Sequence, residues 1–303
     1  MNHSTLIILN PVAGMENATQ FLSTLVEKLS ESGEPVLCYA TGKSGDAALM
    51  ARRYGNQVDQ VITLGGDGTL SEVTEGLLFH EQRPIVGYIP AGTSNDFASG
   101  LGLSDQTEEE LVQTALFGVP MACDMGLFNG TSFLYVAAFG AFTTVSYQTP
   151  QAKKNVLGRF AYLVEGMKEL SGLTEYEIEM RTDSQTFRGK YLLGMISNSN
   201  TVAGMVHLDA STDYQDGLFE VTLVKAGYSA LDYAALAREL MNGELTHEAC
   251  LHFQTSYLEV RSPLPIAWTL DGEEGDETTK ATIQVLPRAL RIRTKVAPKE
   301  ERK

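Results

Sequence analysis

The chain has 303 residues, of which 43% are hydrophobic and 20% charged, and a formal net charge of −15. This length accommodates two domains with a core each, and the composition is typical of a globular protein and not of a disordered one. The negative charge argues against nucleic acid as a partner, because phosphate backbones are bound by Lys and Arg, and no apolar run reaches the roughly 20 residues that a membrane-spanning helix needs.

The first part of the chain alternates short apolar strands with amphipathic helices. Strands are predicted at residues 5–9, 36–40, 58–64 and 85–89, with helical periodicity between them. This alternation predicts a doubly wound parallel sheet of the α/β class over residues 1–124. Ligands of such sheets bind at the carboxyl ends of the strands, so the loops at those ends are the candidate site.

Two of those loops are rich in glycine. Residues 65–69 read Gly-Gly-Asp-Gly-Thr, and residues 92–97 read Gly-Thr-Ser-Asn-Asp-Phe. Glycine lets backbone N–H groups approach an oligophosphate, and the helix predicted after the first loop directs its positive end at the anion. A tight turn would explain either loop alone. Because both follow neighbouring strands, we predict one cradle for the phosphates of a nucleotide.

The sequence does not match two common phosphate-binding motifs. A Walker A loop is absent, because Leu37 stands where the glycine before Gly42-Lys43-Ser44 would be required. Ser71 occupies the position of the third glycine of a dinucleotide fingerprint, which weakens an oxidoreductase interpretation.

The second part of the chain changes to a period of two. Alternating apolar and polar residues predict half-buried antiparallel strands at 175–180, 219–223, 251–257 and 290–296, with one helix at 229–241. We therefore predict a β-rich domain of sandwich type over residues 125–296, followed by a frayed tail at 297–303. Trp268 in this part is expected to be a core residue.

The two glycine loops, together with Asn10-Pro11-x-x-Gly14 and Asp271-Gly272-Glu273, resemble the diacylglycerol kinase catalytic domain family. They look most like the soluble diacylglycerol kinases of Gram-positive bacteria, and the likeness continues through residues 146–150, 203–204 and 216–217. NAD kinases and phosphofructokinases resemble the chain in the Gly-Gly-Asp-Gly segment only. The resemblance implies an NAD kinase-like or phosphofructokinase-like first domain. It also implies an ATP- and Mg²⁺-dependent kinase that converts diacylglycerol, or a related lipid alcohol, to phosphatidic acid.

The resemblance also implies the residues of the site. The nucleotide-binding residues would be Asn10, Pro11, Val12, Ala13, Gly14, Thr41, Gly66, Asp67, Gly68, Thr69, Leu70, Ser71, Glu72, Thr93 and Asp96. Asp67 and Asp96 are candidate ligands of Mg²⁺, which prefers oxygen, and the sequence leaves open which of them binds directly. A second, structural Mg²⁺ is implied at Asp213, Asp216 and Leu218, where a plain turn is the alternative.

The candidates for the catalytic base are Asp271 and Glu273. Asp271 is favoured because a carboxylate at a strand end beside a glycine could extend from the second domain towards the nucleotide. Glu273 competes for the same role. Asp-Gly is also a common hairpin turn, which would be the preferred interpretation if the segment stood alone.

Two other functions are compatible with the motifs. An NAD kinase shares the Gly-Gly-Asp-Gly segment, but it does not explain the second loop. A relative that binds lipid or nucleotide without catalysis is suggested by Met15, Ser71 and Ser99, which stand where the family usually has a basic residue, Asn and Arg.

The expected location is the cytoplasm, with peripheral contact at the inner membrane face. Cys38, Cys123 and Cys250 are odd in number and widely spaced, which predicts reduced thiols within the core. The expected partners are ATP, a membrane lipid and, from the resemblance alone, a second copy in a homodimer. Residues 153–162 combine cations with apolar and aromatic groups and are a candidate membrane-docking segment, with a solvated loop that leads into a core helix as the alternative.

Overall fold

The computed structural model describes residues 4–13, 15–33, 35–92, 95–140, 174–198, 201–202, 206–207, 214–241 and 245–295. The chain forms two compact units. Unit 1 is Met1–Cys123 with Arg288–Lys303, and unit 2 is Asp124–Pro287.

Unit 1 is built on a parallel sheet with the strand order β4-β3-β1-β2. The strands are β1 (Thr5–Leu9), β2 (Val36–Ala40), β3 (Gln60–Gly65) and β4 (Ile85–Pro90). Both β1 and β3 are buried along their whole length, and accordingly their sequences are mostly apolar and do not alternate between apolar and polar residues. The pairing of Leu9 with Leu64 and of Gly65 with Pro90 brings the carboxyl ends of three strands to one edge.

Helices connect these strands, as the predicted βαβ pattern requires. They are α1 (Met15–Ser32), α2 (Asp46–Tyr54), α3 (Asp67–Leu77), α4 (Asp96–Gly100) and α5 (Glu108–Phe117), with a 3₁₀ turn at Gly55–Gln57. Phe21, Leu25 and Leu29 of α1 are buried, as their helical spacing predicts. The prediction of an α/β first domain is confirmed.

Helices α2 and α3 pack closely because of one glycine. A Cβ atom at Gly76 would lie 2.2 Å from the Ala48 carbonyl oxygen and 2.8 Å from the Ala51 Cβ atom. A side chain of any size would therefore separate the two helices.

Unit 2 is built on antiparallel strands, which confirms the predicted β-rich second domain. Strand β5 (Val119–Phe128) enters it from unit 1. The other strands are β6 (Thr131–Phe133), β7 (Val136–Gly140), β8 (Tyr176–Arg181), β9 (Thr186–Ser197), β10 (Thr201–Val202), β11 (Val206–His207), β12 (Phe219–Lys225), β13 (Cys250–Thr255), β14 (Tyr257–Leu270) and β15 (Glu273–Thr294). Neighbours follow the order β13-β12-β9-β7-β14-β15, and β8 pairs with both β9 and β14.

The core of unit 2 has Trp268 near its centre. The Trp268 ring lies 4.9 Å from the rings of both Phe128 and Phe139, measured between centroids. Trp268 is therefore a packing residue, as predicted. Helix α6 (Ala230–Met241) buries Tyr233 and Leu236 in a second cluster of apolar side chains.

The end of β15 differs from the sequence-based domain boundary. Residues 290–296 were assigned to the second domain, but the structure places the chain from Arg288 onward in unit 1. There Ile292 pairs in parallel with Val86, and both Leu290 and Ile292 are buried. Alternation identifies a strand but not its partner, so the sequence could not assign this one. The tail at 297–303 lies outside the described residues.

One cysteine does not follow the prediction. Cys123 and Cys250 are buried, but Cys38 is exposed on β2, at the end of the strand order, so the prediction of a core thiol is wrong there. Among the described residues, no helix has both the length and the hydrophobicity needed to cross a bilayer.

We expect Gly76→Ala to lower the free energy of unfolding by about 1–3 kcal/mol, the usual cost of overpacking. Helix propensity alone would favour alanine by up to about 1 kcal/mol. The packing against Ala48 therefore determines whether the substitution stabilises or destabilises the protein. Urea denaturation measures the change. Glu75→Ala, at an exposed position of the same helix, is the control and should leave stability nearly unchanged. A stabilised Gly76→Ala variant would contradict the close packing of α2 and α3.

Candidate functional site

The loops that follow β3 and β4 lie against each other, backbone to backbone. A Cβ atom at Gly92 would lie 2.6 Å from the Gly66 Cα atom, which is too close for two carbon atoms that are not bonded. Only glycine therefore fits at this position. The Ala91 N–H donates to the Gly65 carbonyl at 2.8 Å. The two loops therefore form one surface at the carboxyl edge of the parallel sheet, where a ligand is expected.

Asp67 joins the two loops through its carboxylate. It is the first residue of α3 and is only 9% exposed. One carboxylate oxygen accepts the Asp96 N–H at 2.9 Å, and the other accepts the Tyr88 hydroxyl at 3.3 Å. Asp67 and Asp96, which the sequence proposed as a pair, are thus neighbours in space.

Tyr88 is a site residue that sequence reasoning missed. Burial, and then the negative charge of Asp67 and Asp96, raises the pKa of Tyr88 well above its usual value. The hydroxyl therefore keeps its proton and remains a donor to Asp67. Tyr88 lies inside β4, where an aromatic residue is an ordinary strand residue, so only its spatial neighbours indicate its role.

The loop after β1 reaches the same edge. Asn10 donates from Nδ2 to the Thr69 Oγ1 atom at 3.3 Å, and its Oδ1 atom accepts the Val12 N–H at 3.1 Å. The Thr41 N–H donates to the Leu9 carbonyl at 2.9 Å, so the end of β2 lies beside the end of β1. Pro11 and Val12 are exposed. The predicted residues 10–13, 41, 66–69 and 96 therefore gather at one edge of unit 1.

Other predicted nucleotide-binding residues have a different environment. Leu70 is fully buried, so only its backbone could contact a ligand. The Glu72 carboxylate accepts the Gly45 N–H at 2.8 Å, the Ala47 N–H at 3.2 Å and the Ser44 hydroxyl at 3.1 Å, at the start of α2. Ser71 is partly buried on α3. Gly14 and Thr93 lie outside the described residues.

Asp271 lies in the hairpin turn between β14 and β15. Its φ of 51° and the φ of 84° at Gly272 are the two left-handed positions of a two-residue hairpin. Its carboxylate, which is buried, accepts three backbone N–H groups, from Leu134 at 2.7 Å, Tyr135 at 3.0 Å and Val136 at 3.1 Å. The segment is therefore a hairpin turn whose aspartate is fixed in orientation. Glu273 is exposed at the start of β15.

The loop proposed for a structural Mg²⁺ is described only in part, because Asp213 lies outside the described residues. Asp216 is exposed, and its Oδ1 atom accepts the Leu218 N–H at 2.9 Å, as in a plain turn. Over the described ranges, no three His, Cys, Asp or Glu side chains are grouped as metal ligands. The carbonyl ligands proposed at Asp213 and Leu218 are of a different kind, so this metal site stays a prediction.

A carboxylate that sequence reasoning also missed supports that loop. Asp124 is only 1% exposed and accepts the Gly217 N–H at 2.7 Å. Its own N–H donates to the Tyr214 carbonyl at 2.7 Å, and its carbonyl accepts the Asn198 Nδ2 group at 2.6 Å. The available signal was a single acidic residue inside the mostly apolar run 121–128.

The parallel sheet with its glycine loops and the antiparallel second unit define a class of protein with two domains, and the comparisons with known families identify both domains. Residues 4–128 match the family described as the diacylglycerol kinase catalytic domain. Residues 136–294 match the family described as the YegS C-terminal NAD kinase beta sandwich-like domain.

Curated relatives narrow this class to one family. A diacylglycerol kinase of Bacillus subtilis is 31% identical over 89% of this chain and 89% of its own length. A diacylglycerol kinase of Staphylococcus saprophyticus is 34% identical over 89% of this chain and 88% of its own length. A crystal structure of a diacylglycerol kinase from Bacillus anthracis has the same fold, with a TM-score of 0.76 and 21% identity over 96% of this chain and 97% of that one. The chain belongs to the diacylglycerol kinase family.

We expect Asp271→Asn to lower the free energy of unfolding by about 1–3 kcal/mol, because the amide nitrogen would present a donor to one of the three N–H groups that the carboxylate accepts. Thermal and urea unfolding measure the change. Glu273→Gln makes the same chemical change at an exposed position two residues away and should not alter stability. Equal stability of the two variants would show that the amides do not depend on Asp271.

Proposed function

We propose that this chain is an ATP- and Mg²⁺-dependent lipid kinase. It transfers the terminal phosphoryl group of ATP to the primary hydroxyl of diacylglycerol, or of a related lipid alcohol, and produces phosphatidic acid. The contact between Gly66 and Gly92, with Asp67 bonded to Asp96 beside it, is the observation that carries the proposal. Membership of the diacylglycerol kinase family supports the choice of substrate.

The nucleotide phosphates would bind at the two glycine loops. Phosphoryl transfer depends on positioning and on neutralising charge, and it requires little covalent chemistry from the protein. Helix α3, which has 11 residues, begins at Asp67, so the positive end of its dipole favours an anion there. The loop from Asn10 to Ala13 would complete the cradle from β1.

The residues beside this cradle fit Mg²⁺. The Asp67 and Asp96 carboxylates belong to neighbouring residues, and carboxylate oxygens are ligands that this hard cation prefers. We assign these two residues to hold it. Bound there, Mg²⁺ supplies positive charge against the phosphate oxygens.

Glu273 suits the role of general base better than Asp271 does. Three backbone N–H groups occupy three of the roughly four acceptor positions of the Asp271 carboxylate, and they compete with a substrate proton. Glu273 is exposed and can meet a substrate hydroxyl. In the proposed step it takes the hydroxyl proton as the lipid oxygen bonds to phosphorus and the bond to the ADP oxygen breaks. Asp271 then acts as a positioning residue that holds the hairpin in which Glu273 lies.

The lipid is reached, in this proposal, by peripheral contact of a cytoplasmic protein with the inner membrane face. The segment 153–162, proposed as a docking site, lies outside the described residues. The homodimer also stays a prediction based on the family resemblance.

The activity is tested by measuring ADP release from Mg-ATP with a panel of acceptors. Diacylglycerol, phosphatidylglycerol and a sphingoid base are presented in mixed micelles, and NAD is the soluble acceptor. We expect turnover with diacylglycerol and none with NAD. Turnover with NAD alone would identify an NAD kinase. Bound ATP with no turnover of any acceptor would favour a binding protein that has lost catalysis.

We expect Glu273→Gln to lower kcat by about 10²–10⁴-fold, the usual contribution of a general base, and to leave the affinity for Mg-ATP unchanged. Steady-state kinetics with diacylglycerol and a nucleotide titration measure the two effects separately. Glu274→Gln, the same substitution at the next exposed position, is the control and should retain activity. Normal turnover by the Glu273→Gln variant would exclude Glu273 as the base.

A further inference from the structure

A large cavity lies at the amino edge of the parallel sheet in unit 1. Its volume is about 990 Å³, and it is lined by the starts of β3 and β4, by the end of α5 and by the end of β15. Gln60 begins β3 and Gly65 ends it, so about 17 Å of extended strand separates this edge from the glycine loops. A ligand in this cavity would therefore be distinct from the nucleotide.

Four arginines line this cavity, which we call the arginine cavity. They are Arg83, Arg288, Arg291 and Arg293, and the lining carboxylates are Asp59 and Glu81. The formal charges leave an excess of two positive charges, in a chain whose net charge is −15. Like charges gathered in one cavity repel each other, and an anion bound among them relieves this repulsion.

The cavity wall holds two of the guanidinium groups in place. Arg293 donates to the Gly118 carbonyl at 2.7 Å and to the Gln60 Oε1 atom at 3.2 Å. Arg83 donates from Nη1 to the Ala289 carbonyl at 3.1 Å. Side chains that are already ordered lose less conformational entropy when a ligand binds, so this arrangement favours binding.

Arg83 also carries a donor without an acceptor. Its Nε atom is buried, and no hydrogen-bond partner for it occurs in the part of the chain that the structure describes. Buried polar groups are nearly always hydrogen-bonded, so the protein leaves part of the bonding capacity of the Arg83 guanidinium group unused in this wall.

Arg288 has an unusual backbone conformation for its residue type. Its φ of 51° lies in the left-handed region, where glycine, Asn and Asp are the residues usually found. Strained backbone positions cluster at ligand-binding and catalytic sites. An arginine at this strained position is therefore consistent with a ligand-binding role of its side chain.

We propose that the arginine cavity binds a phosphomonoester, either a soluble one or the head group of a lipid. The planar guanidinium group matches phosphate through paired N–H donors. A phosphomonoester carries a charge of about −1.5 to −2 at pH 7, which balances the excess positive charge of the lining. The side chains of Asn56, Gln57 and Gln82 add amide groups that can bond the rest of the molecule. This site does not depend on the proposed kinase activity.

Isothermal titration calorimetry on the full chain tests the proposal. Mg²⁺ and a non-hydrolysable ATP analogue are kept saturating, so that the glycine loops are not available to the probes. The probes are inorganic phosphate, glycerol 3-phosphate and dihexanoyl phosphatidic acid, with glycerol as the uncharged control. Binding of phosphatidic acid alone would identify a lipid head group, and binding of the soluble phosphates as well would identify a soluble phosphomonoester.

The arginine variants locate the binding. We expect Arg291→Gln to raise the Kd of the bound probe at least about tenfold, and Arg291→Lys to weaken binding by less, because lysine keeps the charge but loses the paired donors. Arg238→Gln removes the same charge from an exposed position of α6 and should bind as the unaltered chain does. Arg288→Gln replaces Arg291→Gln if the latter does not fold. Absence of binding by all three phosphates, or unchanged binding in the cavity variant that folds, Arg291→Gln or Arg288→Gln in its place, would overturn the proposal.

Discussion

The close approach of Gly66 and Gly92 is the constraint on which the carboxyl edge of the parallel sheet depends. Parallel pairing of β3 with β4 brings their carboxyl ends level, and the missing side chains let the two backbones touch. Beside this contact, the Asp96 N–H donates to the Asp67 carboxylate at 2.9 Å. The position of the α3 N-terminus follows from the same contact, because Gly66 is its N-cap. The two glycine loops, the start of α3 and two neighbouring aspartates thus meet at one packing contact.

The acidic residues of the family motifs serve two purposes. Asp67 and Asp271 are both buried, and both accept backbone N–H groups, so each fixes a loop besides any role towards a ligand. Glu72 lies within a motif implied for the nucleotide, yet its carboxylate bonds to the start of α2. Glu273, which is exposed, has no such structural task among the hydrogen bonds described. An acidic residue of a motif can therefore contact the ligand, hold in place a loop that does, or do both. A buried carboxylate that accepts backbone N–H groups holds a loop, whereas an exposed one is available to a ligand.

The parallel sheet of unit 1 has edges of different chemical character. At the carboxyl edge, glycine backbone and two aspartates suit a metal-bound polyphosphate. At the amino edge, the four arginines of the arginine cavity suit an anion that brings no metal with it. The length of β3 and β4 keeps the two edges about 17 Å apart, so each can have its own ligand. The last strand of the chain, β15, contributes Arg291 and Arg293 to the amino edge.

The sequence by itself determined the four parallel strands β1 to β4, the strands β8, β12 and β13 of unit 2, the α/β and β-rich classes and the two glycine loops at the carboxyl edge. These features depend on local periodicity and on the positions of glycines, both of which can be read from residues that are neighbours along the chain. The sequence did not predict β5, β6, β7, β9 or β14. Only the tertiary structure decided that β15 ends beside β4, that Tyr88 bonds to Asp67, that Glu72 supports α2 and that Asp271 is held by three amides. The same holds for the arginine cavity, since Arg83 and Arg293 are 210 positions apart in the sequence. Contacts between residues that are distant along the chain depend on which strands pair and which surfaces pack. Local periodicity does not contain this information.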